Sequence, residues 1–130
     1  MKSNKKRILC IEDEAEMIEL MRLVLEREGF EVTGAMGGEQ GLKAMRQEKP
    51  DLILLDLMMP GIDGWEVYRQ MRADKELAEI PVIIVTAKAQ SIDKVLGLQV
   101  AKVADYITKP FGPKELIGSI ERVLAQQNSR

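Results

Sequence analysis

Short apolar runs rich in Ile, Leu and Val alternate along the chain with longer stretches in which apolar residues recur at helical spacing. That alternation predicts βαβ units around a buried parallel sheet. Strands are predicted at residues 7–11, 30–35, 52–55, 81–85 and 105–108. The run at 52–55 is apolar throughout and belongs at the sheet centre, whereas 81–85 is the purest β-branched stretch. The first helix places Met17, Leu20, Met21, Val24 and Leu25 inward and stops near Gly29; the second follows Gly37 and Gly38 and carries Leu42, Ala44 and Met45. A third spans about 64–74, with Asp63 as N-cap and Glu66 three residues on. A fourth, capped by Ser91, covers about 92–100, and a last one, about 113–125, turns Leu116, Ile117, Ile120 and Leu124 inward. Five strand-then-helix repeats with no internal linker predict an α/β fold, a doubly wound five-stranded sheet flanked by five helices.

Composition narrows the function. At 130 residues and 45% hydrophobic content the chain suits one domain, 1–130, with its core at about 6–124 and a polar tail at 126–130. A net charge of −2 argues against direct nucleic-acid binding, which wants a basic face; the basic start Lys5, Lys6 and Arg7 reads as a solvated lead into the first strand. The single cysteine, Cys10, sits inside an apolar run and reads as core. No apolar run approaches the roughly 18 residues of a membrane span, so a cytoplasmic protein with no membrane partner is expected. The absence of histidine excludes His triads, His metal ligands and phosphohistidine chemistry within the chain, and leaves nucleophilic or acid–base work to Asp, Glu, Lys, Ser, Thr or Tyr.

In doubly wound sheets the ligand site lies beyond the carboxyl ends of the strands. Strand one ends in Glu12 and Asp13, strand three in Asp56, strand four in Thr86, and strand five in Thr108 and Lys109. Taken singly, each acid is an ordinary turn residue or cap; gathered at neighbouring strand ends, three carboxylates repel unless a cation holds them. Mg²⁺ is the economical cation, a hard ion that takes oxygen ligands and retains water. Lys109 adds a fixed positive charge and Thr86 a hydroxyl donor, a set suited to phosphoryl transfer onto Asp. Asp51, at the start of strand three and the opposite edge, reads as a turn residue.

Four segments in order strongly resemble the receiver domains of two-component response regulators: Ile-Leu-Cys-Ile-Glu-Asp-Glu at 8–14, Leu-Leu-Asp-Leu-Met-Met-Pro-Gly at 54–61, Val-Thr-Ala at 85–87 and Asp-Tyr-Ile-Thr-Lys-Pro-Phe at 105–111. The resemblance implies a flavodoxin-like sheet in the order 2-1-3-4-5. It makes Asp56 the phosphoacceptor, with Mg²⁺ held by Asp13, Asp56 and the Met58 backbone carbonyl, and by Glu12 through water. Lys109 would pair with Asp56 and then with its phosphoryl group; Thr86 would swing toward that group and let Tyr106 turn inward; the Lys109–Pro110 peptide would be cis. The implied partners are a histidine kinase or histidine phosphotransfer protein as donor, and a downstream protein or output domain. These would meet the face formed by the fourth predicted helix, the fifth strand and the last helix, with the chain a monomer or a weak dimer through that face.

Two departures from the family pattern stand out. Glu12 replaces a common aspartate, and residues 98–104 lack the Gly-Ala turn that usually precedes the fifth strand. Ser119 and Ala104 stand where a transcription-factor subfamily carries an Arg and an acid, which removes that subfamily's dimer ion pairs. An Asp-nucleophile Mg²⁺ phosphohydrolase would need a second Asp where Met58 stands, so turnover on other substrates is not expected; a flavodoxin-type cofactor module would need a phosphate-cradling Gly-rich loop after strand one. Tyr106 has a competing reading as an amphipathic ring on the last helix, and Trp65 one as cover for a local apolar patch. Met58 and Lys88 are expected to govern water access to a phosphorylated Asp56.

Overall fold

A computed structural model of the chain describes residues 5–87 and 102–128. Its elements run β1 (Arg7–Glu12), α1 (Ala15–Arg27), β2 (Glu31–Met36), α2 (Gly38–Gln47), β3 (Leu52–Leu55), α3 (Gly64–Arg72), β4 (Val82–Thr86), β5 (Asp105–Thr108) and α4 (Pro113–Asn128). The strands pair in parallel in the order β2-β1-β3-β4-β5, the doubly wound sheet expected. Four helices stand among the described residues, and the predicted helix at 92–100 lies outside them, as does Lys88.

The two-residue period of the strands distributes the core. Leu9, Ile11, Ile53, Leu55, Val82 and Ile84 point to one face, where Leu42 and Met45 of α2 and Val67 and Met71 of α3 cover them. Ile8, Cys10, Leu52, Leu54, Ile83 and Val85 point to the other, under Met21 and Leu25 of α1 and Leu116, Ile120 and Val123 of α4. Both faces are covered, so β3 is apolar at every position and β1 and β4 at all but their ends. Each fully buried aliphatic side chain contributes about 1.5–3 kcal/mol. Burial also drives the Cys10 thiol up to about 12, and it behaves as a small hydrophobe.

Two expectations at the helices are corrected, and one core residue is added. Leu20 is 48% exposed, because the buried stripe of α1 runs through Ile18, Met21 and Leu25 and leaves position 20 about 100° off it. The last helix, expected to end at about 125, continues through Gln126 and Gln127 to Asn128: both glutamines are good helix formers, and no glycine or proline interrupts them. Val123, passed over in the sequence, is fully part of the α4 core stripe. Among the described residues no helix is long and apolar enough to cross a membrane.

A polar clamp fastens β5 to α4. Asp105 Oδ2 accepts from Ser119 Oγ at 2.5 Å and from the Arg122 guanidinium at 2.7 Å, and Oδ1 accepts from the Tyr106 N–H at 2.8 Å. Burial works to raise the Asp105 carboxyl, but the donors from Ser119, Tyr106 and Arg122 together hold it below its ordinary value. A folded pKa below the unfolded one gives stability that is present above the unfolded value and lost as pH falls through the folded value. Ser119→Ala is therefore expected to lower stability by about 1–2 kcal/mol at neutral pH. In urea titrations the gap between variant and parent should narrow below about pH 4; a gap unchanged there would show that the bond to the ionised carboxylate is not its source.

Candidate functional site

The strand registers carry the predicted acids to one edge. Ile11 lies opposite Leu55, so Glu12 and Asp56 leave adjacent strands side by side, and the Asp56 N–H donates to the Ile11 carbonyl at 3.1 Å. Thr86 pairs with Thr108, and the Lys109 N–H continues that ladder onto the Thr86 carbonyl at 2.9 Å. Because β2 lies on one side of β1 and β3 on the other, the crevice between β1 and β3 is the topological switch point of the sheet. The site sits there.

Glu12, Asp13 and Asp56 each offer a carboxylate oxygen within 4.8 Å of the others. Glu12 is 1% exposed and Asp56 4%. Lys109 Nζ reaches Glu12 Oε2 at 2.5 Å, Asp56 Oδ2 at 3.2 Å and, more remotely, Glu14 Oε1 at 3.9 Å. The second oxygen of Glu12 accepts from the backbone N–H of Asp13 at 3.1 Å and of Glu14 at 3.4 Å, and Asp56 Oδ1 accepts from the Met58 N–H at 2.9 Å. The Lys109–Pro110 peptide is cis. Thr86 Oγ is fully buried and has no hydrogen-bond partner among the described residues.

Burial raises the Glu12 carboxyl to about 7; the Lys109 hydrogen bond pulls it back only in part, and the nearby Asp56 charge pushes the same way as burial. For Lys109 burial favours the neutral amine, yet the Glu12 hydrogen bond and the Asp56 and Glu12 charges outweigh it and hold the ammonium above its ordinary value. Three carboxylates against one ammonium leave a deficit of positive charge that suits a divalent cation. The donor set fits a hard ion, being all oxygen, with the Asp13 carboxylate uncommitted to any hydrogen bond or ion pair among the described residues.

Tyr106 is buried in the cluster shared with α2 and α3, on the sheet face opposite α4, so its ring does not rest on the last helix with its hydroxyl in water. Trp65 packs against the same cluster and meets Tyr68 edge to face at 6.1 Å. Asp51 lies at the far edge, where its carboxylate accepts from the Arg7 N–H at 2.7 Å, a turn residue as expected.

One residue of the site carried no chemical signal. Gly64 opens α3 behind the Asp63 cap, whose side chain accepts from the Glu66 N–H at 3.0 Å, and its own N–H donates to the Leu57 carbonyl at 3.2 Å. A Cβ there would stand 2.4 Å from the Asp56 carbonyl oxygen and 2.7 Å from Leu57 Cα. Only glycine lets the helix start this close to the backbone that bears Asp56.

A doubly wound sheet with acids and a lysine converging on its switch point defines a class of small α/β domains that handle phosphate-bearing groups with a metal. Residues 8–121 match the response regulator receiver domain, and the chain belongs to that family. The family's office is phosphorylation-dependent signalling in two-component systems, and Mg²⁺ is general to it. Among curated proteins the chain is similar to the DNA-binding response regulator MtrA of Mycobacterium tuberculosis, 41% identical over 98% of this chain and 54% of that protein. It is likewise similar to the alkaline phosphatase synthesis transcriptional regulatory protein PhoP of Bacillus subtilis, 44% identical over 92% of this chain and 48% of that one. The chain thus spans about half the length of the curated relatives it matches. Among solved structures it resembles the signal receiver domain of a signal transduction histidine kinase from Syntrophus aciditrophicus, with a TM-score of 0.83, 30% identity and coverage of 93% and 91% of the two chains. A sensor protein from Polaromonas gives 0.86 at 26% identity, covering 93% of this chain and 97% of that one.

Gly64→Ala is expected to cost about 1–3 kcal/mol by overpacking against backbone and to displace Asp56 from Lys109. Equilibrium unfolding checks the first and the amide shifts of residues 56–58 the second; a variant with parental stability and unmoved shifts would show that the helix start has room to give.

Proposed function

We propose that the chain is a phosphorylation switch in which Asp56 takes a phosphoryl group from a phosphohistidine on a histidine kinase or phosphotransfer protein. An Asp56 carboxylate oxygen bonds to phosphorus as the P–N bond to the donor imidazole breaks, and the imidazole leaves with the bonding pair and takes up a proton. The observation that carries this reading is the convergence of a nearly buried Asp56 with Lys109 and two further carboxylates at the switch point. Asp13 and Asp56, with the Met58 carbonyl and Glu12 through water, would hold Mg²⁺, which when bound screens the charge of the incoming phosphoryl group. Lys109 supplies the other positive charge, and the buried Thr86 hydroxyl is a donor for an added phosphoryl oxygen.

The chain promotes only its own phosphorylation and dephosphorylation. Met58, 55% exposed and apolar, stands where a phosphohydrolase would carry its acid–base. The added phosphate, with close to two negative charges, biases Thr86 and Tyr106 and so the face that β5 shares with α4 and its neighbours, which meets a downstream protein or output domain. The receiver itself makes no contact with nucleic acid, in keeping with its net charge of −2.

Incubation with acetyl phosphate and Mg²⁺ is expected to add one phosphate to the parent and none to Asp56→Asn, as read by intact mass, and chelation of the metal should abolish the addition. Equal incorporation by the variant would remove Asp56 from its role; steady multiple turnover of a phosphate ester would instead make the chain a phosphatase.

A further inference from the structure

Lys109 does not divide itself evenly. Its shortest bond, 2.5 Å, goes to Glu12, whereas Asp56 lies at 3.2 Å. Glu12 is in turn fixed at its other oxygen by the first N–H groups leading into α1, those of Asp13 and Glu14. It therefore forms a buried strut from the start of α1 to the residue that follows β5, 97 positions away in sequence. The strut depends on the length of the side chain: an aspartate is shorter by one C–C bond, about 1.5 Å, which would stretch the 2.5 Å contact to about 4 Å, past hydrogen-bond range.

We propose that Glu12 is a positioning residue that acts through Lys109, its short bond keeping the ammonium shared between the two acids so that Lys109 meets Asp56 only at the longer 3.2 Å contact and Asp13 and Asp56 can still take up a divalent cation. The inference rests on the metal-dependent phosphoacceptor reading and assigns a consequence to Glu12 that a water-mediated ligand alone would not have. With Glu12 neutralised, Lys109 keeps Asp56 at 3.2 Å and the remoter Glu14 at 3.9 Å as partners among the described residues, and closes on Asp56. The existing contact with Asp56 thereby shortens and competes more strongly with a cation. A direct or water-mediated ligand would give its affinity to the metal whether or not Lys109 is present; a lysine-holding residue gives it chiefly when Lys109 is there to be held.

The test is a double-mutant cycle of Glu12→Gln and Lys109→Met on the whole chain, with Mg²⁺ binding read by calorimetry and folding checked by circular dichroism. Glu12→Gln is expected to weaken Mg²⁺ binding roughly tenfold with Lys109 in place and distinctly less in the K109M background. Equal losses in the two backgrounds overturn the proposal. A second measurement needs no lysine variant: the ¹⁵N-labelled ammonium of Lys109, slowed in exchange by its short bond, should remain visible in Asp56→Asn and vanish in Glu12→Gln. Retention in Glu12→Gln with loss in Asp56→Asn would show that Asp56, not Glu12, holds the lysine. Neither readout requires phosphorylation. A parent that binds Mg²⁺ yet takes no phosphate from acetyl phosphate defeats the phosphoacceptor reading alone, and a labelled parent with a flat cycle defeats only the role given to Glu12.

Discussion

One ammonium stands between two carboxylates that have almost no contact with water. Moving an ion of this size out of water costs several kcal/mol even after the protein relaxes, and Glu12 and Asp56 both make that move. Lys109, with its own side chain 10% exposed, is their common counter-charge. It offsets the cost only in part, as the raised Glu12 carboxyl shows. The edge of the sheet is thus left short of positive charge by design of the topology, because the ladder bonds Asp56 N–H to Ile11 and Lys109 N–H to Thr86 allow the acids and the lysine no other place. A site in that condition gains from any ligand that brings a cation, and that gain is what a metal-dependent phosphoryl acceptor uses.

The fold was legible because the residues that determine it act through period and length. Alternation assigns Ile8 and Cys10 to one sheet face and Leu9 and Ile11 to the other without reference to anything distant in sequence. Strand ends were legible for the same reason: a polar residue that terminates an apolar run must emerge at the edge, and parallel strands all emerge together. Hence Glu12, Asp13, Asp56 and Lys109 could be placed near one another from their positions alone, and the structure brings them together.

What stayed hidden depends on reach and on crowding. That Lys109 lies nearer to Glu12 than to Asp56, and that the N–H groups of Asp13 and Glu14 anchor the far oxygen of Glu12, leaves no mark on periodicity. Gly64 looked like any residue at a helix start, since the atom that forbids a side chain there is a backbone oxygen eight residues earlier. Ser119 read as the absence of a family arginine, whereas in the folded chain its hydroxyl closes on Asp105. The error at Leu20 was of a milder kind, a stripe drawn one residue too wide on a helix that shows the sheet a narrower face.

These pieces meet on β5. Asp105 and Ile107 turn to α4, the first by hydrogen bonds and the second by packing; Tyr106 turns to the opposite core; and Lys109, one residue past the strand, enters the site. Four residues of extended chain span only about 13 Å, too short a length to absorb a displacement by bending. Any displacement of the strand end therefore meets the Tyr106 packing on one side and the Asp105 clamp on the other. Asp105 is held by three donors, and Tyr106 is buried in the cluster that also holds Val67 and Met71. The strand end is thus tied to both faces of the sheet at once, by packing on the side of α2 and α3 and by hydrogen bonds on the side of α4.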